Sequence, residues 1–315
     1  MHDVLYGTAL ESLLANPALL SFPNATSIIS TPLTSLQSSL NLSYNNAMLL
    51  KKLCSQTVLP VLTSNTAFSR FPDNFVSFGT QLLDHILLPS LNPGCLFEIS
   101  GLAGSGKTQL CYQVLLSSII KDDSLISIYI KTEGTFSVER MTELIELRGL
   151  DPAQYLPRIF VEESSTLEDL ESTVVNLLPN FLDSHKAAVV IIDSICAPVR
   201  YGNNTIGDAS LRLLTLAADL KSISYKYNVP IITVNQVTST LSSTGQSITI
   251  PSLGLSWSYI ITARLMIFRD HDVMENGTVV ESGKPRKAMF SSSSGGCKFL
   301  LSLSSFGLDI IEFLS

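Results

Sequence analysis

From Phe75 onward the chain alternates between two hydrophobic rhythms. Short apolar runs of the length that suits a buried strand fall at Gly94–Ser100, Leu125–Ile130, Arg158–Val161, Ala187–Ile192 and Val229–Val234. Between them lie segments with apolar residues three and four apart, at Thr108–Ile120, Val138–Arg148, Leu167–Leu182 and Ser210–Tyr227. In the first of these, Leu110, Val114, Leu115 and Ile119 share one helical face. Runs that are apolar throughout belong in a sheet covered on both sides, and strand–helix alternation predicts that most of it is parallel. After about residue 258 only strands are predicted: Tyr259–Phe268, Lys287–Ser291, Lys298–Leu303 and Leu308–Phe313, with a turn signal at Asn276-Gly277. The expected fold is α/β: a mainly parallel sheet with helices on both faces and C-terminal antiparallel strands.

Residues 1–60 read differently. They are rich in Leu, Ser and Asn and contain no glycine after Gly7. Thr31-Pro32 has the form of an N-cap followed by proline at the first helical position. Leu33, Leu36, Leu40, then Ala47, Leu49, Leu50 and Leu53, predict two or three short helices. The expected organisation is a small helical N-terminal domain at 1–60, a linker at 61–74 and the α/β domain at 75–315.

Composition narrows the function. Only 15% of the residues are charged, and the mean hydropathy is positive. Yet no uncharged apolar run reaches the about 18–20 residues that cross a bilayer. The surplus apolar surface points to a large core and a protein–protein interface. Five scattered cysteines and four dispersed histidines argue for a reducing compartment and against a metal cluster. Acidic Asp3 and Glu11, with no basic residue before them, lead us to expect no signal or transit peptide. A net charge of −7 excludes a protein that binds DNA by overall charge.

The most specific chemistry follows the first strand. Gly101-Leu102-Ala103-Gly104-Ser105-Gly106-Lys107-Thr108 is a complete phosphate-binding loop, placed between a predicted strand and a predicted helix. Its glycines let backbone N–H groups surround an anion, at a helix N-terminus that favours negative charge. Lys107 is expected to reach the β- and γ-phosphates of ATP, and Thr108 to offer its hydroxyl to Mg²⁺. Gln109 completes the expected nucleotide contacts. The strand Ala187–Ile192 ends in Asp193, whose carboxylate is expected in the Mg²⁺ shell. In parallel sheets ligands sit at the strands' carboxyl ends. Glu133, in Thr132-Glu133-Gly134-Thr135-Phe136, is therefore expected near the γ-phosphate, where it can orient or deprotonate water; the plain alternative is a solvated loop glutamate. Asn235-Gln236 ends the last of the parallel runs, as a phosphate-sensing pair or as a strand cap.

Together these segments resemble the RecA/RadA recombinases and their eukaryotic paralogues. The resemblance rests on Gly101–Leu110, Thr132–Phe136 with Glu139-Arg140, Leu150, Ile191–Ser194 and Asn235-Gln236-Val237, with Phe78-Gly79 and Leu82-Leu83-Asp84 at the entry to the core. It implies a RecA-like P-loop ATPase core preceded by a small helical domain. It implies Glu133 as catalytic base, Lys107 and Gln236 as its catalytic partners, and Arg140 packed on the adenine. Gln236 would couple nucleotide state to the loop that follows it.

Departures from the family pattern select the branch. Lys131 stands where recombinases carry an acidic residue and is placed to pair with Glu133. The linker lacks the Phe-x-x-Ala that joins recombinase subunits. From Val237 to Ala263 there is no charged residue, although this loop lies against DNA in a recombinase. Arg200, Thr238 and Ser239 are the remaining DNA-contact candidates. Pro251-Ser252-Leu253-Gly254-Leu255-Ser256-Trp257 is similar to a segment of the paralogues that assist the recombinase. The expectation is a nuclear, ATP-binding mediator subunit of homologous recombination with low DNA-dependent ATPase activity. Its partners would be another recombinase paralogue, the recombinase itself and, weakly, single-stranded DNA. A strand-exchange recombinase and a nucleotide-bound scaffold are the alternatives; a small-substrate kinase would need an arginine-rich lid that the chain lacks.

Overall fold

Parallel strands that are apolar from end to end need cover on both faces, and the chain supplies it. The computed structural model describes residues 76–201, 206–241, 247–268, 286–292 and 295–314, and in the N-terminal part 17–22, 27–28, 31, 33–43, 46–47, 50 and 54. Two compact units result: one of Met1–Thr63 with Asn204–Ala218 and Leu255–Ile260, the other of Ser64–Asn203, Asp219–Gly254 and Ile261–Ser315. The first contains α1 (Leu33–Leu40), whose Leu36 and Leu40 are buried, as are Ile28, Ala47 and Leu50. Thr31 differs from its expected capping role. Its hydroxyl donates to the Ser27 carbonyl at 2.7 Å, closing the preceding turn.

The second unit opens with α2 (Gln81–Leu87), capped by the Thr80 hydroxyl, and continues through β1 (Leu96–Gly101) and α3 (Lys107–Ile119). Next come β2 (Ile126–Lys131), α4 (Val138–Leu147) and β3 (Ile159–Glu163). A helical stretch follows, made of α5 (Leu167–Ser172), a π-helical turn at Thr173–Leu177 and α6 (Leu178–Leu182). The sequence pattern predicts one regular helix here. Pro179 has no N–H for the carbonyl four residues back, and a wider turn before it is the usual way to accommodate the ring. β4 (Ala187–Asp193), α7 (Ala197–Tyr201) and β5 (Ile231–Asn235) complete the alternation; between α7 and β5 in the chain runs α8 (Ile206–Tyr227), whose residues to Ala218 are counted with the first unit.

Two expectations fail beyond this point. Val237–Pro251, read as a loop, contains an antiparallel ribbon of β6 (Val237–Leu241) and β7 (Ser247–Pro251). Its Thr, Ile and Val residues suit a pleated strand. The strand expected from Tyr259 begins later. Residues Gly254–Ile260 form α9, with Trp257 and Ile260 both buried at helical spacing, and β8 is Ala263–Ile267. β9 (Arg286–Ser292), β10 (Gly295–Ser304) and β11 (Gly307–Leu314) follow as expected. Asn276-Gly277 lies outside the described residues.

Among the described residues nine strands make one sheet, ordered β11-β10-β9-β8-β1-β5-β4-β2-β3. The six strands from β8 to β3 in that order run parallel, and β9 to β11 are antiparallel. The carboxyl ends of β1, β2, β4 and β5 therefore meet along one border. β3 is a sheet edge, and beside it Ile128, Ile130, Phe160, Leu177, Leu178 and Phe181 line a groove of about 390 Å³.

One buried amide ties three parts of this unit together. Gln113, 1% exposed on α3, donates to the carbonyls of Phe78 and Leu308 at 2.6 and 2.8 Å and accepts from the Leu308 N–H at 2.6 Å. Gln113→Leu would leave three backbone groups buried without partners. At about 1–3 kcal/mol for each such group, though not additively, the variant should lose about 3 kcal/mol or more of unfolding free energy in urea titrations. A loss below about 1 kcal/mol would show that the staple is dispensable.

Candidate nucleotide site

The loop between β1 and α3 has a backbone that only its own sequence permits. A Cβ at Gly101 would stand 2.4 Å from the Ile267 carbonyl oxygen and 2.7 Å from Ser105 Oγ. Gly106, which caps α3, has φ +105°, a conformation strained for any side chain. The first N–H groups of α3 are thereby aimed into the loop, the arrangement that binds phosphate. Leu102 is half-buried, Ala103 and Gly104 are exposed, and Ser105 is fully buried with its hydroxyl unpartnered among the described residues.

Lys107 is folded back over this loop. Its ammonium donates to the carbonyls of Gly101 and Leu102, each at 2.8 Å, and so keeps a third donor in hand. Burial lowers its pKa, against the opposing pull of Asp193. Next to it the Thr108 hydroxyl donates to Asp193 Oδ2 at 2.9 Å, across 85 residues of sequence. Thr108 and Asp193 thus form a hydroxyl–carboxylate pair of hard oxygen donors beside a phosphate loop. Mg²⁺ prefers such a set, with phosphate oxygens and water completing its shell. The loop geometry, the unpartnered Ser105 hydroxyl and this donor pair fit a magnesium–nucleotide complex.

Sequence reasoning missed Tyr129. Its hydroxyl donates to the same Asp193 oxygen at 2.8 Å, and its ring packs against Tyr112 and Phe136 at centroid distances of 5.9 and 5.3 Å. Nothing in an apolar strand marks one tyrosine as reaching a neighbouring strand's carboxylate. Burial raises the Asp193 pKa, and the two hydroxyls and Lys107 offset this only in part.

Glu133 stands exposed past the end of β2. Its Oε1 accepts from the Gln236 amide at 2.8 Å and from the Ser194 hydroxyl at 3.1 Å. Thr132 holds the segment in place: it accepts from the Ser194 N–H at 2.8 Å and donates to the Ser194 carbonyl at 2.6 Å. Lys131 does not pair with Glu133. It turns to Glu163 on β3 at 2.8 Å, because the side chain at β2's last position lies beside its parallel neighbour. The amide pair also divides. Asn235 is fully buried and donates to Glu98 at 3.0 Å, while Gln236 faces Glu133. Glu98, equally buried, is paired with Arg264 at 2.5 Å.

Arg140 is committed within the protein. It donates to Gln109 Oε1 at 2.9 Å, pairs with Glu143 at 2.6 Å and donates to the Ser305 carbonyl at 2.7 Å. Arg200 donates to Gln236 Oε1 and to Ser252 Oγ. Thr238 is exposed on β6; Ser239 lies in the same strand, but its side chain is outside the described residues.

The elevated Asp193 pKa makes a test. The folded state holds this proton more tightly than the unfolded chain, so the buried charge costs stability above the folded pKa, and the cost vanishes below the unfolded value of about 4. Asp193→Asn should therefore raise the melting temperature of the nucleotide-free protein at neutral pH, by the equivalent of about 1 kcal/mol, and the gain should fade in acid. The same variant should lose the stabilisation given by magnesium–ATP. Thermal melts showing a destabilised variant that still responds fully to magnesium–ATP would contradict both points.

The Rad51 family model matches residues 74–257. The chain is 29% identical over 221 residues to DNA repair protein RAD51 homolog 3 of Dictyostelium discoideum, covering 62% of this chain and 57% of that protein. It is 27% identical to DNA repair protein XRCC3 of Bos taurus, over 70% of this chain and 71% of the relative. It is 36% identical to DNA repair and recombination protein RadB of Thermococcus kodakarensis, over 51% and 70% respectively. Among solved structures, the crystal structure of the RadB recombinase superposes with a TM-score of 0.58 at 26% identity, covering 75% of this chain and 99% of that one. The parallel sheet with its antiparallel extension is a RecA-like core, and the chain belongs to the Rad51 family, in its paralogue branch.

Proposed function

We propose that this protein is an ATP-binding, slowly hydrolysing subunit of a nuclear recombinase-paralogue complex that assists assembly or stability of the recombinase on single-stranded DNA. The observation that carries this reading is the meeting of Lys107, Thr108, Asp193, Glu133 and Gln236 around the carboxyl ends of adjacent parallel strands in a Rad51-family core. In the proposed site the Gly101–Thr108 loop and Lys107 hold the phosphates, while Thr108 and Asp193 hold Mg²⁺, which when bound neutralises charge on the phosphate oxygens. Glu133 orients water, and Gln236 and Ser194 hold its carboxylate. Arg140, from α4, meets Gln109 at the start of α3, a position that suits the nucleoside end.

The partner half of the proposal draws on the groove beside β3. Its floor is apolar, no strand among the described residues pairs with the outer edge of β3, and Leu177 at its rim is 52% exposed. Such an edge accepts an added strand, with a pocket for one of its apolar side chains. The DNA half draws on an absence of charge: Val237–Ala263 carries none, so the chain alone would neutralise few phosphates.

The full-length chain should co-elute with a second Rad51-family subunit in gel filtration with ATP, and Leu177→Asp should weaken that association about tenfold or more. The chain alone should bind single-stranded DNA with a salt slope of about one or two phosphates. A monodisperse chain that ignores all such partners, or a slope of about six or more phosphates, would replace the mediator with a self-sufficient recombinase.

A further inference from the structure

Arg200 sits at the crossing of two groups of contacts that sequence reasoning had kept apart. On one side, Gln236 Nε2 donates to Glu133. On the other, Ser252 donates to the Gln236 carbonyl from both its N–H, at 2.9 Å, and its hydroxyl, at 2.6 Å. Gln236 immediately precedes β6 and Ser252 immediately follows β7, so these bonds close the base of the ribbon, where Val237 pairs with Pro251. The Arg200 guanidinium spans both. One nitrogen donates to Gln236 Oε1 and the other to Ser252 Oγ at 3.2 Å.

The chemistry of these groups leaves one orientation for the amide. A carboxylate only accepts and a guanidinium only donates, so Gln236 must turn its N–H₂ to Glu133 and its oxygen to Arg200. Glu133 alone calls for the N–H₂ on its side; Arg200 adds an anchor for the amide oxygen, which no other described contact holds. Ser252's hydroxyl is likewise set: it accepts from Arg200 and donates to the Gln236 carbonyl.

We infer that Arg200 is a positioning residue that latches the Gln236 side chain to the base of the β6–β7 ribbon, so that a change at Glu133 is transmitted to the ribbon. The inference rests on reading Glu133 and Gln236 as groups that respond to bound nucleotide. A ligand that draws the Gln236 amide away from Glu133 pulls on the guanidinium, and through it on Ser252. The reverse also holds, because coupling between two sites is reciprocal: a partner or a DNA strand that shifts the ribbon alters how Glu133 is held. Arginine suits the role and lysine does not, since only a planar fork offers two fixed donors to two acceptors at once. Two of its five donors are used inside the protein, and the response to lysine separates this role from a phosphate contact that any cation could make.

The test is hydrogen–deuterium exchange of amides in 237–251 of the full-length protein, with and without magnesium–ATP. In the wild type, nucleotide should change ribbon exchange severalfold. Ser252→Ala, which removes one hydroxyl, and Arg200→Ala should still bind ATP within about threefold of the wild type yet lose that response. Arg200→Lys should also lose it, although it keeps the charge. The latch is overturned if the wild-type ribbon ignores bound ATP, if Arg200→Ala retains the response, or if Arg200→Lys restores it. A wild type that fails to bind ATP at all would remove the proposed function, and the latch with it.

Discussion

A sheet covered on both faces can place charge cheaply only at the ends of its strands, and the rest of this structure follows from that constraint. β1, β4 and β5 are buried almost throughout, so their polar chemistry collects where each strand stops. The phosphate loop leaves β1, Glu133 follows β2, Asp193 ends β4 and Gln236 follows β5. Four chain segments far apart in sequence become neighbours because their strands are parallel and adjacent. The exception proves costly enough to need its own solution. Glu98 lies in mid-strand on β1, fully buried, and it is held by Arg264 and Asn235.

What was legible in the sequence follows the same division. The strands could be read because each is a run of apolar residues with no other use, and the phosphate loop because its spacing is dictated by the anion. The ribbon at Val237–Leu241 and Ser247–Pro251 was hidden because hydroxyl residues serve loops and exposed strands equally well. Gly254–Ile260 was hidden because seven residues give too few helical repeats to outweigh Tyr259 and Ile260, which favour strands. Gln113 and Tyr129 left no local signal at all. Their roles depend on which strand or helix lies opposite, and pairwise contacts across 35 to 195 residues are a property of the fold, as with Gln113, which reaches Phe78 and Leu308. Lys131 illustrates the converse: nearness in sequence suggested Glu133, but the pleat of β2 and β3 gave it Glu163.

The site also carries costs that the fold could have avoided. Lys107 and Asp193 are buried charges whose pKa values are pushed toward neutrality, and Ser105 keeps a buried hydroxyl without a partner among the described residues. Groups like these usually mark a surface shaped for a ligand that supplies what is missing. Phosphate oxygens would give Lys107 and Ser105 acceptors, and a divalent cation would favour ionised Asp193. Arg200, Gln236 and Ser252 then extend the same set of contacts outward to the ribbon, away from the phosphate loop.

The central claim is that these strand ends form one magnesium–nucleotide site. Isothermal titration of ATP into the full-length protein, with and without Mg²⁺, tests it most directly. The account predicts one ATP per chain, tightened by Mg²⁺ and lost in Lys107→Ala while the variant's secondary structure by circular dichroism stays that of the wild type. Equal ATP binding by the wild type and a folded Lys107→Ala would contradict it.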